Sequence, residues 1–491
     1  MTPRGVLAFA ASTLLLAATT PGATGEEARP WVLLLDPEGG GETVGDAEAL
    51  CAFLPPPGAN ASHDPGGTRP WTRACARRAR GLCRRVIGGG DGRARGVVSG
   101  VSGVFTRANV RALRRCLGAR VLLAEPDRDV FALRDPTERA SSSPSPPPEP
   151  VPWVLDRLDQ RLLPLDGVAS PAGGAGVHVY VLDSGVRASH REFARAGVVS
   201  DGVDFAADEK DRDALGDGRV DCDGHGTHVA AIVAGRFHGV APQAILHPVR
   251  VLGCGGAGKV SDVLQGFAWI AAHVAARRER RLGDEAETPK TSPDRSDRSP
   301  PPTPSVVVAA LGLRAGELSR SVERAARLLH DRLGVLVIVA AGNDAGASAC
   351  GVSPAREPAA FAVAASDPSD RPYAFGSTGP CVDVFAPGVR VRSACGSESP
   401  PPPSAPSRCG GGSSRGGDDA YATLSGSSMA AAAAAGAAAL YLEAHPGATA
   451  EEVRAALLEA ATRGVLREED ASEGAFLPGT PNALIRVPPR W

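Results

Sequence analysis

Downstream of residue 150 the apolar positions fall into two alternating patterns. Residues 177–182, 245–252, 306–311 and 335–341 are short and almost continuously apolar, as strands buried on both faces read. Between them, residues 228–234, 260–276 and 318–333 suit helices. Strands alternating with helices predict an α/β fold with a doubly wound, mostly parallel sheet. Upstream the pattern differs. Residues 31–35, 96–101 and 121–124 read as strands, and Thr106 can cap a helix that carries Val110, Leu113 and Leu117 on one face. These predict a small α+β module. Arginines between positions 73 and 95 make part of it basic, in the manner of a solvated helix face.

Composition then divides the chain. The 59 Gly and 43 Pro among 491 residues concentrate in segments that cannot offset their ordering entropy by burial. Residues 135–150, rich in Pro and Ser, predict an extended linker open to proteolysis. Residues 277–304 and 397–419 predict surface loops inserted into the α/β unit. The N-terminus has the order of an export signal: Arg4, an apolar core over 6–18, then Ala23-Thr24-Gly25 as a small-residue cleavage site. The predicted organisation is a signal peptide over 1–25, a module over 26–134, the linker, and an α/β domain over 151–491, in a secreted chain. No later stretch is long and apolar enough to span a membrane. A net charge of −2 gives no electrostatic footprint for nucleic acid.

All ten cysteines follow the signal: Cys51, Cys75, Cys83 and Cys116 early, and Cys222, Cys254, Cys350, Cys381, Cys395 and Cys409 late. An even number in an oxidising compartment predicts disulfides. No CxxC pairs with another CxxC or a His cluster, which argues against structural zinc. Asn60-Ala61-Ser62 is a glycosylation acceptor.

Candidate chemistry sits at element ends, where open α/β sheets gather functional groups. Asp183 closes the strand at 177–182, His225 lies in Asp223-Gly224-His225-Gly226-Thr227-His228, and Asn343 follows the strand at 335–341. Ser428 lies in Leu424-Ser425-Gly426-Ser427-Ser428-Met429-Ala430, at the head of an alanine-rich helix. Small residues allow a sharp turn there, and the helix aims its N-terminal amides at the serine. A serine hydroxyl needs a base within hydrogen-bond reach to act as a nucleophile. His225 is that base, with Asp183 fixing its tautomer. Asn343 and the backbone amide of Ser428 are the donors for a developing oxyanion. His228, three residues after His225, has no third ligand at metal-binding spacing.

These residues resemble the subtilisin-like serine peptidases, specifically the proteinase K branch. The resemblance is carried by 153–160, 180–186 with His190, 222–230, 249–252 before Cys254, 340–343, 353–355, 383–388 and 425–430, and it spans residues 151–465 in the family's order. It implies a serine-type endopeptidase acting on peptide or protein substrates through Asp183, His225 and Ser428, with Asn343 at the oxyanion and no cofactor for the chemistry. It implies that Ala310, Leu311 and Gly312 pair with an extended substrate strand. It also implies that Cys222 bonds Cys254 and Cys350 bonds Cys381, each crosslink worth up to about 4 kcal/mol on the chain-entropy account. Cys395 and Cys409 remain as a late pair flanking an insertion. A structural calcium like the family's would take the Asp383 carboxylate and the carbonyls of Pro358 and Ala360.

By the same resemblance, residues 26–134 form an inhibitor-like prodomain, carried by the helix at 108–117 and the strand at 120–125. The chain is then a self-processing zymogen, cut between about Phe131 and Pro152, with its own prodomain as inhibitor. Two departures from the family stand near the serine. Ser427 replaces a Thr, and Ala432 and Ala433 replace a Pro and a His, which implies altered packing behind the serine. Among animal relatives the chain resembles the proprotein convertase subtilisin/kexin type 9 branch, in its six late cysteines and in Thr480-Pro481-Asn482. That implies an alternative: a self-cleaving chain that keeps its prodomain and acts on a receptor by binding. The end at Trp491, without that branch's Cys/His-rich domain, ranks this reading second.

Overall fold

A computed structural model describes residues 28–35, 82–88, 98–133, 151–169, 173–195, 197–206, 217–287, 304–396, 417–467 and 476–491. The expected signal peptide, the linker at 135–150, Asn60, Cys51, Cys75, Cys409 and most of both insertions lie outside the described residues.

The upstream module is built from β1 (Arg29–Leu35), β2 (Leu82–Ile87), β3 (Gly100–Phe105), α1 (Arg107–Leu117) and β4 (Val121–Pro126). The four strands form an antiparallel sheet in the order β2-β3-β1-β4. Thr106 caps α1: its hydroxyl accepts from Asn109 N at 3.1 Å, and Asn109 Oδ1 accepts from Thr106 N at 3.0 Å. Val110, Leu113 and Leu117 pack on Leu33, Leu35, Val101 and Phe105. Two expectations are corrected. The strand expected over 96–101 is β3, because Val101 and Phe105 both turn into this core. The described part of the basic run is β2 rather than a helix face. Cys83 and Val86 pack on the module and Ile87 on the domain beyond it, so burial of these side chains outweighs the charge pattern.

The chain continues through β5 (Asp129–Ala132), α2 (Trp153–Asp159), β6 (His178–Asp183), β7 (Val203–Asp204), α3 (His225–Ala234), β8 (Ile245–Arg250), β9 (Ala257–Lys259) and α4 (Val260–Glu287). Then come β10 (Ser305–Ala309), β11 (Leu311–Gly312), α5 (Arg320–Leu333), β12 (Leu336–Ala340), β13 (Ala360–Ser366), β14 (Val384–Pro387), β15 (Val391–Ala394), β16 (Tyr421–Leu424), α6 (Ser427–Ala444), α7 (Ala450–Ala460), β17 (Thr462–Arg463) and β18 (Ala483–Leu484). The central sheet has the order β17-β18-β14-β13-β12-β10-β6-β8-β7. Every neighbouring pair in it is parallel except β17 with β18. This is the doubly wound, mostly parallel α/β architecture that the alternating pattern predicts.

The period of two decides which face each strand residue serves. Val179, Val181, Val306, Val308, Ile338 and Ala340 pack with α3 and the wholly buried front of α6. Tyr180, Leu182, Val307, Ala309, Val337 and Val339 pack with α4 and α5 on the other face. The helix α4 runs through 277–287, where a loop was expected, because Arg, Glu, Leu and Ala there are strong helix formers. No helix among the described residues is long and apolar enough to cross a membrane.

Candidate active site

Strand β6 ends on Asp183, and α3 begins on His225 rather than at 228 as its apolar residues suggested. His225 Nδ1 lies 2.8 Å from Asp183 Oδ1 and 2.9 Å from Oδ2, with both side chains fully buried. Close backbone approach makes this possible: a Cβ at Gly226 would stand 2.1 Å from the Gly185 carbonyl oxygen. Asp221, a residue that sequence reasoning missed, holds the turn. Its carboxylate accepts from Ser184 Oγ at 3.0 Å, Gly224 N at 2.8 Å and Thr227 Oγ1 at 2.6 Å. Burial pushes the Asp221 carboxyl above its ordinary pKa. The only signal in the sequence is an Asp two residues before Asp223, in a run of turn formers. The disulfide Cys222–Cys254 ties the same turn to the segment after β8.

Ser428 is the second residue of α6, among the leading amides that have no partner inside a helix. Asn343 follows Gly342, whose φ of +121° and closeness to Ser377 admit only glycine. Asn343 Oδ1 accepts from Ser427 N and Ser427 Oγ, each at 2.9 Å. Those bonds orient the amide and leave Asn343 Nδ2 buried without a partner. Ala432 and Ala433 are fully buried in the core on that face of the sheet.

One expected contact is not formed. His225 Nε2 is buried with no hydrogen-bond partner. The Ser428 hydroxyl is turned instead to the Leu133 carbonyl oxygen at 2.6 Å and the Ala310 carbonyl oxygen at 3.1 Å. Leu133 directly follows a strand that sequence reasoning missed. β5 lies between β11 and β9, antiparallel to both, pairing Ala132 with Leu311, Phe131 with Gly312, and Val130 with Gly258. Leu133 N donates to Ala310 O at 3.3 Å. The expected substrate strand residues Ala310, Leu311 and Gly312 thus lie along an extended segment of this same chain. A Cβ on Gly312 would stand 2.9 Å from Leu133 Cδ1 and 3.3 Å from Val352 Cγ1, so the Leu133 side chain sits against an apolar wall.

The upstream module is held against two helix N-termini. Asp127 Oδ1 accepts from Ser261 N at 2.9 Å at the head of α4. Glu125 accepts from Arg320 N at 3.2 Å and from Ser321 N at 3.3 Å at the head of α5. Carboxylates at helix N-termini are favoured by the free amides and the macrodipole.

The expected calcium ligands converge on a different cation. Arg454, on α7, donates from Nη1 to Ala360 O at 2.8 Å and to Pro358 O at 3.1 Å, and from Nη2 to Asp383 Oδ1. The guanidinium occupies the position that all three oxygens face, so they do not fit a divalent ion. The expectation of calcium there is corrected on that ground. Burial pushes the Asp383 carboxyl up to about 6 in spite of Arg454. His228 serves packing: its Nε2–H donates toward Val391 O at 3.1 Å and Ala422 O at 3.2 Å. Cys350–Cys381 forms as expected, and Cys83, Cys116 and Cys395 are disulfide-bonded too.

The profile of the Subtilase family matches residues 174–476. The chain is 37% identical over 341 residues to an extracellular serine proteinase of Thermus sp. (strain Rt41A), covering 69% of this chain and 67% of that one. It is 37% identical over 243 residues to alkaline serine exoprotease A of Vibrio alginolyticus, covering 49% of this chain and 38% of that relative, well under two thirds of its length. A crystal structure of a cold adapted subtilisin-like serine proteinase matches with a TM-score of 0.51 at 31% identity, over 69% of this chain and 98% of that one.

Proposed function

This chain belongs to the subtilase family of serine-type endopeptidases, and from that premise we propose that it is a secreted zymogen that cuts itself after Leu133 and then hydrolyses other peptides. The motif set points within the family to the proteinase K branch. Asp183, His225 and Ser428 are the catalytic residues, and Asn343 is the oxyanion donor. The module from 26 to 133 is the inhibitor. The observation that carries this reading is the 2.6 Å contact of Ser428 Oγ with the Leu133 carbonyl oxygen, on a strand paired along both edges.

The chemistry follows from the atoms at the site. The Ser428 proton passes to His225 Nε2 as Oγ bonds to the Leu133 carbonyl carbon. The carbonyl oxygen becomes an oxyanion and moves from Oγ toward Asn343 Nδ2, a donor without a partner, and the Ser428 amide. The C–N bond after Leu133 breaks, and the His225 proton goes to the leaving amine. Water then releases Leu133 from the acyl-enzyme by the reverse proton path. Cleavage leaves β5 in place, held by its two neighbouring strands and by Asp127 and Glu125, so the product of the first turnover is an inhibitor.

Intact-mass analysis of the secreted protein tests this. The expected result is one fragment ending at Leu133 and one starting at Arg134, co-eluting until the smaller is removed, after which casein is degraded. An uncut chain, or cleavage only at a distant bond, contradicts it.

A further inference from the structure

At the far end of β6 from Asp183 lies a second cluster that the peptidase chemistry does not use. His178 opens β6, five residues before Asp183, which at ~3.3 Å per residue places the two ends about 16 Å apart. His247 lies on β8, paired in register with Tyr180, and His273 lies on α4. Asp201 lies just before β7, at the sheet edge. One donor atom each from Asp201, His247 and His273 lie within 4.8 Å of one another.

We infer that Asp201, His247 and His273 form a binding site for a divalent transition metal of the zinc type. His247 Nδ1 is 3.2 Å from Asp201 Oδ1, and His273 Nε2 is 3.0 Å from Asp201 Oδ2. Bonds of about 2.0–2.2 Å from zinc to imidazole nitrogen and carboxylate oxygen put tetrahedral ligand atoms roughly 3.3 Å apart. The two contacts run to different oxygens of the Asp201 carboxylate, and the three ligand atoms together lie within 4.8 Å, so a small turn of that exposed carboxylate closes the set on one ion. One carboxylate and two imidazoles also form a donor set suited to zinc and its neighbours rather than to calcium.

The ring nitrogens turned away from Asp201 provide the second observation. His247 Nε2 is 2.7 Å from His178 Nδ1, and His273 Nδ1 is 2.9 Å from the Tyr180 hydroxyl. A metal-ligating histidine characteristically gives its other ring N–H to an acceptor, which sets its tautomer and orientation. Here both histidines have such an acceptor, and the His273 ring also stacks on Trp269 at 4.8 Å between centroids. His247 Nδ1 meets the Asp201 carbonyl oxygen at 2.8 Å, as a donor. Metal binding at Nδ1 takes the other neutral tautomer, with the proton on Nε2 and given to His178 Nδ1, so the ring changes tautomer and loses no proton. The side chains of His247 and His273 are 2% and 12% exposed, while that of Asp201 is 61% exposed. The imidazoles are thus fixed, and the carboxylate side is open for entry and for a water as fourth ligand. A bound metal would join the sheet edge at Asp201 to β8 and to α4.

Co²⁺ titration and Zn²⁺-dependent thermal unfolding of the full secreted chain test the site. The expected results are the visible absorption of tetrahedral Co²⁺ at one equivalent, and a Tm rise of about 3–5 °C at a hundredfold excess of Zn²⁺ over its dissociation constant. Both should be lost in Asp201→Asn, whose carboxylate is mostly solvated and outside the peptidase site, and in His273→Gln. Both should survive in His225→Ala, which excludes the catalytic imidazole as the ligand. Wild type without a Co²⁺ spectrum or Zn²⁺ shift overturns the inference. So does an unchanged response in Asp201→Asn and His273→Gln.

Discussion

The hydroxyl of Ser428 and the carbonyl oxygen of Leu133, 295 residues apart in sequence, lie 2.6 Å from one another in the fold. The contact explains why His225 Nε2 has no partner: the single proton of the hydroxyl is directed to a carbonyl rather than to the imidazole. On the proposed mechanism it brings one peptide bond of the chain, and not a region of it, to Ser428.

On the proposed mechanism the wall around Leu133 would set the preference at that bond. Gly312 and Val352 offer no charge to a side chain there. A buried, unpaired ammonium costs several kcal/mol, and each ~1.4 kcal/mol is tenfold in rate. Leu133→Lys should slow self-processing by about a hundredfold or more, and Leu133→Met should leave it within about tenfold. Pulse-chase of the secreted chain checks this, and equal rates for Lys and Leu would remove the pocket assignment.

Asn343 tests the oxyanion role separately. Its Oδ1 is fixed by Ser427 and its Nδ2 is free. Asn343→Ala should lower kcat by about 10²–10³-fold, or about 2.7–4 kcal/mol, with little change in KM. A loss confined to KM would assign Asn343 to substrate binding instead.

The guanidinium of Arg454 makes its own prediction. Chelators should not lower the Tm through the site at Asp383. Arg454→Ala leaves a carboxylate with 15% side-chain exposure unpaired and should destabilise by about 3–5 kcal/mol. Millimolar calcium should recover part of that loss in the variant and none in wild type. Calcium stabilisation of the wild type that Asp383→Asn abolishes would show that the ion displaces Arg454.

Acid should destabilise the fold through His228. Burial lowers its pKa from 6.5 to about 3. Between those values the unfolded chain binds the extra proton, so this contribution is complete above pH 6.5 and is lost as pH falls toward 3. His228→Gln keeps an N–H donor for Val391 and Ala422 without the titration. Its Tm should fall less steeply between pH 6.5 and 4 than that of wild type. Parallel curves would show that other groups dominate.

Much of this site is legible in the sequence because its residues stand where local rules put them. Asp183 ends an unbroken apolar run, His225 sits among glycines at a helix start, and Ser428 heads an alanine helix. The doubly wound sheet follows from the same runs. What escapes is set by distant packing. β5 is four residues long and becomes a strand only because β9 and β11 accept it. β2 carries arginines, yet turns Cys83, Val86 and Ile87 inward. Arg454 is 71 residues from Asp383, and nothing local marks it as the cation for those carbonyls. Asp221 looks like one more turn former until its partners are seen. In each case a local pattern was overruled by a tertiary contact.

Replacing Ser428 by Ala and measuring the mass of the secreted chain tests the central claim most directly. The account predicts that the wild type is found cut after Leu133 and the Ser428→Ala chain uncut, because no other hydroxyl faces that carbonyl among the described residues. A Ser428→Ala chain cut after Leu133 at the wild-type rate would contradict it.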